Sequence, residues 1–289
     1  MLQACEAIIV TEPTKPLQDI EKSLITTYKK DIFRPFVKAI NEFNLIEPGD
    51  KIAIGISGGK DSLILAKLFQ ELKRHNKIPF DIVFLSMDPG FNQVNRELLE
   101  TNCKYLDIPL EVKESEIFNV IEKIAKENPC YMCARMRRGF LYNEAKELGC
   151  NKLALGHHFD DVIETTMLNM FYNGQFKTMV PKIKAQNFDD IELIRPMMMV
   201  KERDIIRWLK NSGIQSMNCG CTVAAEKTAS KRKEIKDLIE SLRKVNPDID
   251  KSIYHSATNV NLETILGYTY NNKKTHFNEI YNERSKKEW

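Results

Sequence analysis

Three short stretches of the chain carry more chemistry than a fold needs. The first is Ser57-Gly58-Gly59-Lys60-Asp61-Ser62, set between an apolar run at 51–57 and a helical pattern. Paired glycines let the backbone turn tightly and approach a ligand closely. Free amides at a helix start, together with the helix dipole, make an anion site. A plain strand-to-helix turn needs one glycine, not this whole set. The spacing is not that of a Walker A loop: Ile54 stands where that motif has glycine, and Asp61 where it has Ser or Thr. The second stretch is Gly156-His157-His158-Phe159-Asp160-Asp161, which follows an apolar run at 153–155 and opens another helical pattern. Aspartates favour helix N-caps, yet two histidines and two aspartates exceed what capping requires. A histidine pair beside carboxylates also suggests zinc, although adjacent histidines do not easily ligate one ion. The third is Cys130-Tyr-Met-Cys133, with Cys219-Gly-Cys221 downstream. A Cys-x-x-Cys at a helix start reads as a redox dithiol, half of a zinc site or part of an iron–sulfur ligand set. A four-thiolate zinc site would use both pairs.

The elements that position these stretches follow from the apolar pattern. Residues 1–19 read as an arm broken by Pro13 and Pro16. Residues 21–45 read as a helix, with Ile25, Tyr28, Ile32, Phe36 and Ile40 recurring every three or four positions. Strands are predicted at 51–57, 81–86, 109–112 and 152–155, and helices at 61–75, 93–106, 117–126, 133–148 and 159–171. A short helix at 203–210 precedes helices at 229–245 and 255–266, and the tail from 268 reads as polar and irregular. Alternating strands and helices imply an α/β fold, a doubly wound, mostly parallel sheet with helices on both faces and helical N- and C-terminal additions. Three regions result: an arm and helix at 1–46, an α/β domain at 47–217 that carries the Cys-x-x-Cys, and a cysteine turn, helices and tail at 218–289.

Lys and Arg total 43 and Asp and Glu 40, a formal net charge of +3, so local clustering decides the choice of partner. No apolar run approaches the ~20 residues of a membrane span. The N-terminal stretch lacks the basic start of a signal peptide, and a cytoplasmic location without membrane contact is the expectation. Seven cysteines is an odd number, and a reducing compartment disfavours disulfides. Cys5, Cys103 and Cys150 are expected to be reduced thiols, and Met197-Met198-Met199 core filler. Arg135, Arg137 and Arg138 directly follow the cysteine pair and suit nucleic-acid phosphates. Lys201, Arg203, Arg207 and Lys210 lie on or beside one short helix. Lys227, Lys231, Arg232, Lys233 and Lys236, with Glu226 and Glu234 interspersed, read by default as a solvated face.

The Ser57-to-Ser62 hexapeptide resembles the pyrophosphate-loop signature of the adenine-nucleotide alpha-hydrolase-like enzymes. The Gly156-to-Asp161 segment resembles the GHHxDD stretch of pyrophosphate-loop tRNA thiolases. CxxC, RxRRG, LGHHxDD, LNMFY, IRP and a Cys-rich turn follow one another as in the tRNA 2-thiocytidine synthetase family, over roughly residues 25–265. The resemblance implies ATP held at Ser57, Gly58, Gly59, Lys60, Asp61 and Ser62, with Ser86, Gly156 and His157 also lining the nucleotide. It implies catalytic roles for Lys60, Asp61 and Asp161, the last as Mg²⁺ ligand or acid/base group. It implies a [4Fe–4S] cluster on Cys130, Cys133 and Cys221, its fourth iron open for sulfur. This chain has Cys-x-Cys where the family commonly has Cys-x-x-Cys, which makes Cys219 the alternative third ligand. The implied activity is adenylation of a cytidine in the tRNA anticodon loop followed by sulfur transfer, with Arg135, Arg137 and Arg138 on the tRNA. The sulfur donor is a cysteine desulfurase or free sulfide, and a homodimer is among the expected assemblies. The alternatives are a 2-thiouridine-type thiolase, a cluster-free lysidine-like ligase and a zinc-stapled nucleotide-binding regulator. The 2-thiouridine branch carries extra zinc-binding cysteines at both ends, where this chain has only Cys5 and none after Cys221.

Overall fold

The computed structural model describes residues 14–75, 78–115, 129–185, 188, 190–217 and 228–284, with backbone alone at 129–134, 228–230 and 283–284. The expected helix at 117–126 lies outside the described residues. Helix α1 (Leu17–Ile25), a π-helical turn (Lys29–Phe33) and α2 (Arg34–Glu42) follow one another along a single apolar stripe. Ile20, Leu24, Tyr28, Ile32, Phe36 and Ile40 are all buried on it. The stripe is not one continuous α-helix: α1 ends at Ile25, and the π-helical turn leads into α2 just before Pro35, which has no amide hydrogen to donate.

The sheet has six strands in the order β3-β2-β1-β4-β6-β5: β1 (Lys51–Gly55), β2 (Asp81–Asp88), β3 (Leu110–Glu114), β4 (Lys152–Ala154), β5 (Lys182–Lys184) and β6 (Glu192–Ile194). All neighbours are parallel except β5 against β6. Helices α3 (Lys60–His75), α4 (Gln93–Tyr105), α5 (Pro129–Glu147), α6 (Phe159–Asn173) and α7 (Glu202–Ser212) connect and flank it. Alternation along β1 serves two cores. Ile52 and Ile54 face α1–α3 and Trp208 of α7, while Ala53 faces Ala145 and Leu141 of α5. Burial on both faces explains why β1 reads as an unbroken apolar run.

Helix α8 (Thr228–Val245) and α9 (Ile249–Ser256) pack on α6 through Ile235, Ile239 and Ile253 against Phe159, Ile163 and Met167. Here the structure departs from the expected helix at 255–266. The turn Asn246-Pro247-Asp248, in which the Asn246 side chain accepts from the Asp248 amide at 3.0 Å, starts the helix earlier. Asn261 then caps a single 3₁₀ turn at Leu262–Thr264. The tail is not irregular: β7 (Gly267–Tyr270) and β8 (Lys273–His276) form a hairpin, followed by α10 (Phe277–Arg284). Asn271 and Asn272 turn it at φ +48° and +61°, the backbone that a two-residue type I′ hairpin loop requires. Among the described residues no helix is long and apolar enough to cross a membrane.

Candidate active site

Strand order reverses around β1 and β4, with β2 and β3 on one side and β6 and β5 on the other. In open α/β sheets such a reversal leaves a crevice at the carboxyl ends of the strands, where ligands bind. Both singled-out turns emerge there, one after β1 and the other after β4. They abut: a Cβ built on Gly156 would lie 3.0 Å from the carbonyl carbon and oxygen of Asp61. Glycine at 156 therefore lets the two turns close on each other.

The first turn is held open from within. The Ser62 hydroxyl accepts from the Ser57 amide at 3.1 Å and donates to the Gly59 carbonyl at 2.9 Å. Gly58 sits at φ +77°, and a Cβ there would meet Met217 Sδ at 2.3 Å. The Met217 amide donates to the Gly58 carbonyl at 3.0 Å, so the described chain leading to the second cysteine pair ends against this loop. The amides of Gly59, Lys60 and Asp61 find no acceptor among the described residues. Three donors at a helix start, beside a lysine, fit a phosphate group.

The second turn caps α6. His158 is the N-cap, its Nδ1 accepting from the Asp161 amide at 3.3 Å while Asp161 Oδ2 accepts from the His158 amide at 3.0 Å. Capping is therefore real and reciprocal between His158 and Asp161, which leaves Asp161 Oδ1 and Asp160 for other contacts. With Nδ1 the acceptor, the ring N–H is on Nε2, which lies 3.9 Å from both Asp61 Oδ1 and Glu202 Oε1. Neighbouring His157 is half-buried, its Nδ1 buried and without a partner among the described residues, and desolvation pushes its pKa down to about 4. Among the described residues no group of three or more histidine, cysteine or acidic side chains is arranged for a metal ion, so the zinc reading of the histidine pair gains no support.

A ring of ion pairs surrounds these turns. Lys60 Nζ lies 3.0 Å from both Asp61 Oδ2 and Glu202 Oε1, and Glu202 also binds Lys236 at 2.7 Å. Arg232 bridges Asp161 at 2.7 Å and Glu164 at 3.0 Å. Asp160 takes the Glu202 amide at 2.7 Å and Arg243 at 2.8 Å. Burial opposes the Lys60 charge, yet Asp61 and Glu202 outweigh it and raise its pKa. Burial raises the pKa of Asp61 in spite of Lys60 and His158. Burial works against the Glu202 carboxylate too, but Lys236 and Lys60 draw its pKa down to about 2. Asp161, against its burial, is held below the usual carboxylate range by His158 and Arg232.

The expected solvated face at 227–236 does hold exposed side chains at Arg232 and Lys236, but both are ion-paired to carboxylates of the site. Arg232, Ile235, Lys236 and Ile239 recur at helical spacing, and the isoleucines seat α8 on α6 so that the cations reach the carboxylates. That mixed stripe is the signal a charge count overlooks. Lys231, also exposed, pairs with no carboxylate among these and lies 5.1 Å above the Tyr172 ring. Sequence reasoning also passed over Glu202, Arg243 and Arg195. Arg195, half-buried, lies near Tyr142, Arg138 and Asp161 and donates to the Val180 carbonyl at 2.5 Å.

Of the other expected residues, Ser86 is fully buried near the end of β2, its hydroxyl without a partner among the described residues. Cys130 and Cys133 lie in the first turn of α5, with their side chains outside the description. Cys5, Cys219 and Cys221 lie outside the described residues. Arg135 is exposed on α5, and Arg137 and Arg138 are half-buried. Cys103 and Cys150 are free and buried, and burial pushes the Cys103 thiol up to about 12, a pKa that keeps it unreactive.

Comparison with known proteins agrees with this geometry. A family model described as a PP-loop domain matches residues 25–218. The tRNA-cytidine(32) 2-sulfurtransferase of Syntrophotalea carbinolica is 37% identical over 233 residues, covering 79% of this chain and 88% of the relative. That of Geotalea uraniireducens is 34% identical over 249 residues, covering 86% of this chain and 96% of the relative. Among solved structures, the U34-tRNA thiolase NcsA from Methanococcus maripaludis, with its [4Fe-4S] cluster, superposes with a TM-score of 0.66 at 22% identity, covering 91% and 90% of the two chains, a likeness of fold. The PP-loop implies ATP, and the chain belongs to the PP-loop family and, within it, to that of the tRNA-cytidine(32) 2-sulfurtransferases.

Proposed function

We propose that the chain thiolates a tRNA cytidine, position 32 by its relatives' names, forming 2-thiocytidine at the expense of ATP. The observation that carries this reading is the apposition of the two turns, Lys60 and Asp61 against His157, His158 and Asp161, at the crevice of the sheet. Free loop amides and Lys60 suit the phosphates of ATP. The cytosine O2 attacks the α-phosphorus and pyrophosphate leaves, which makes the oxygen a leaving group as AMP. Lys60 balances negative charge growing on the phosphates. Asp161, held ionised, takes Mg²⁺ or a proton. A sulfur nucleophile then attacks C2 and the C2–O2 bond breaks to release AMP.

Cys130 and Cys133, three residues apart in the first turn of α5, share one helix face. Soft thiolates at that spacing fit an iron–sulfur cluster. Cys221 is the third ligand in this reading, with Cys219 the alternative. When bound, a [4Fe–4S] cluster with three protein ligands supplies an iron free to carry sulfur. Arg135, exposed one helical turn beyond Cys130, suits a tRNA phosphate; neutralising it should lower the slope of the salt dependence by about one unit.

Anaerobic purification with iron and sulfide analysis tests the reading. It expects about four irons per chain, lost in Cys130→Ala and Cys133→Ala, and AMP with pyrophosphate as products. Stoichiometric zinc without iron, or a colourless chain with full activity, would exclude the cluster; ADP formation would exclude the adenylation.

A further inference from the structure

One carboxylate serves two lysines. Glu202, the first residue of α7, has its amide bound to Asp160 at 2.7 Å, and Asp160 is itself held by Arg243 at 2.8 Å. With its backbone so fixed, the Glu202 side chain reaches between Lys60 at 3.0 Å and Lys236 at 2.7 Å. Within this group two ammonium charges face two carboxylates, Asp61 and Glu202, and the sum is zero. A phosphate gains little from a lysine whose charge is already cancelled. For Lys60 to serve it, one carboxylate must give way.

Asp61 is the wrong candidate. It adjoins Lys60 on α3, and its backbone is wedged against Gly156. Glu202 is the right one, because Lys236 comes from a different helix and keeps the glutamate paired when Lys60 is withdrawn. Releasing Lys60 therefore leaves no partly buried carboxylate stranded, the event that makes broken ion pairs expensive. We propose that Glu202 is the exchangeable counter-ion of Lys60, ceded to Lys236 when the phosphates of ATP arrive and returned when pyrophosphate leaves. Glu202 is a positioning residue in this role and touches no reacting atom. The inference rests on the reading of the loop at 57–62 as a phosphate site.

The two partners of this exchange have opposite expected effects. Removing the Glu202 charge tightens phosphate binding, and removing Lys236 weakens it, since Glu202 then has Lys60 as its one remaining cation among these contacts. A residue that only held Lys60 in place would weaken binding when removed.

Calorimetric titration of the full chain with ATP–Mg²⁺ and with inorganic pyrophosphate tests this in wild type, Glu202→Gln, Lys236→Met and the double variant. Glu202→Gln should bind pyrophosphate about tenfold more tightly, and Lys236→Met more weakly by about the same factor. In the Glu202→Gln background Lys236→Met should change affinity by less than about twofold, since the two act through one contact. Turnover of Glu202→Gln should show lower KM together with lower kcat, as pyrophosphate leaves slowly. Weaker binding by Glu202→Gln at an unchanged melting temperature overturns the proposal. So does a Lys236→Met effect of equal size in both backgrounds. A wild-type chain that binds neither ATP nor pyrophosphate overturns the phosphate reading itself, and this inference with it.

Discussion

Two lysines on α3, Lys60 and Lys67, are separated by about two helical turns and are partnered in opposite ways. Lys67 is 1% exposed and spends its three hydrogens on Glu21 Oε1 at 2.5 Å, Gln70 Oε1 at 2.6 Å and the Leu106 carbonyl at 2.8 Å. Glu21 in turn takes both terminal guanidinium nitrogens of Arg74 at 2.9 Å, which bolts α1 to α3. Burial lowers the Lys67 pKa in spite of Glu21, whereas two carboxylates raise that of Lys60 against its burial. Lys60 finds two partners among the described residues, and Glu202 has a second cation. A buried lysine with neutral and charged acceptors filling every donor position is a bolt. One that shares a replaceable carboxylate at a crevice is poised for a ligand.

The sharpest way to break this comparison is to remove each ammonium in turn. Lys67→Met leaves Glu21 on Arg74 alone and takes the ammonium donor from the Leu106 carbonyl, and it should destabilise the fold by about 2–3 kcal/mol in urea unfolding. Lys60→Met should cost about 1 kcal/mol, because Glu202 keeps Lys236 and the half-buried Asp61 loses one contact that water can replace, while turnover falls at least ~100-fold. Equal stability losses, or an active Lys60→Met, would erase the distinction.

Next in size is the contact that brings the turns together. Gly156→Ala puts a Cβ 3.0 Å from the Asp61 carbonyl and should cost about 1–3 kcal/mol. ATP affinity should drop with it while iron content stays constant, as read by calorimetry and iron analysis. A pH effect follows from His157. Burial keeps it neutral in the folded chain down to about 4, against 6.5 for an unperturbed imidazole. Between these values the unfolded chain binds more protons, so stability present above pH 6.5 is lost as pH falls toward 4. Urea midpoints of His157→Gln should lack that part of the slope. At the small end, Lys73→Ala removes an exposed pair with Asp81 and should leave both the urea midpoint and turnover unchanged within error.

Much of the site was legible because its two turns sit at the ends of apolar strands, where a change from strand to helix pattern marks them in one dimension. The counter-ions were not. Glu202, Arg232 and Lys236 acquire meaning from side chains 34–142 positions away, and a charged residue on a helix looks merely solvated until the helix that pairs with it is known. β5 and β6 escaped notice because three residues, such as Lys182-Ile183-Lys184, are too few to show a period. The hairpin at 267–276 escaped because Asn-Asn is a weaker turn signal than Asn-Gly.

The central claim, ATP-driven thiolation of a tRNA cytidine, is tested most directly by nucleoside mass spectrometry. Unmodified tRNA is incubated anaerobically with the iron- and sulfide-reconstituted chain, ATP, Mg²⁺ and sulfide, then digested. The account predicts 2-thiocytidine in amounts equal to the AMP formed, and neither product with Lys60→Met. ATP cleaved to AMP without any thiolated nucleoside, or a thiolated uridine in place of cytidine, would contradict it.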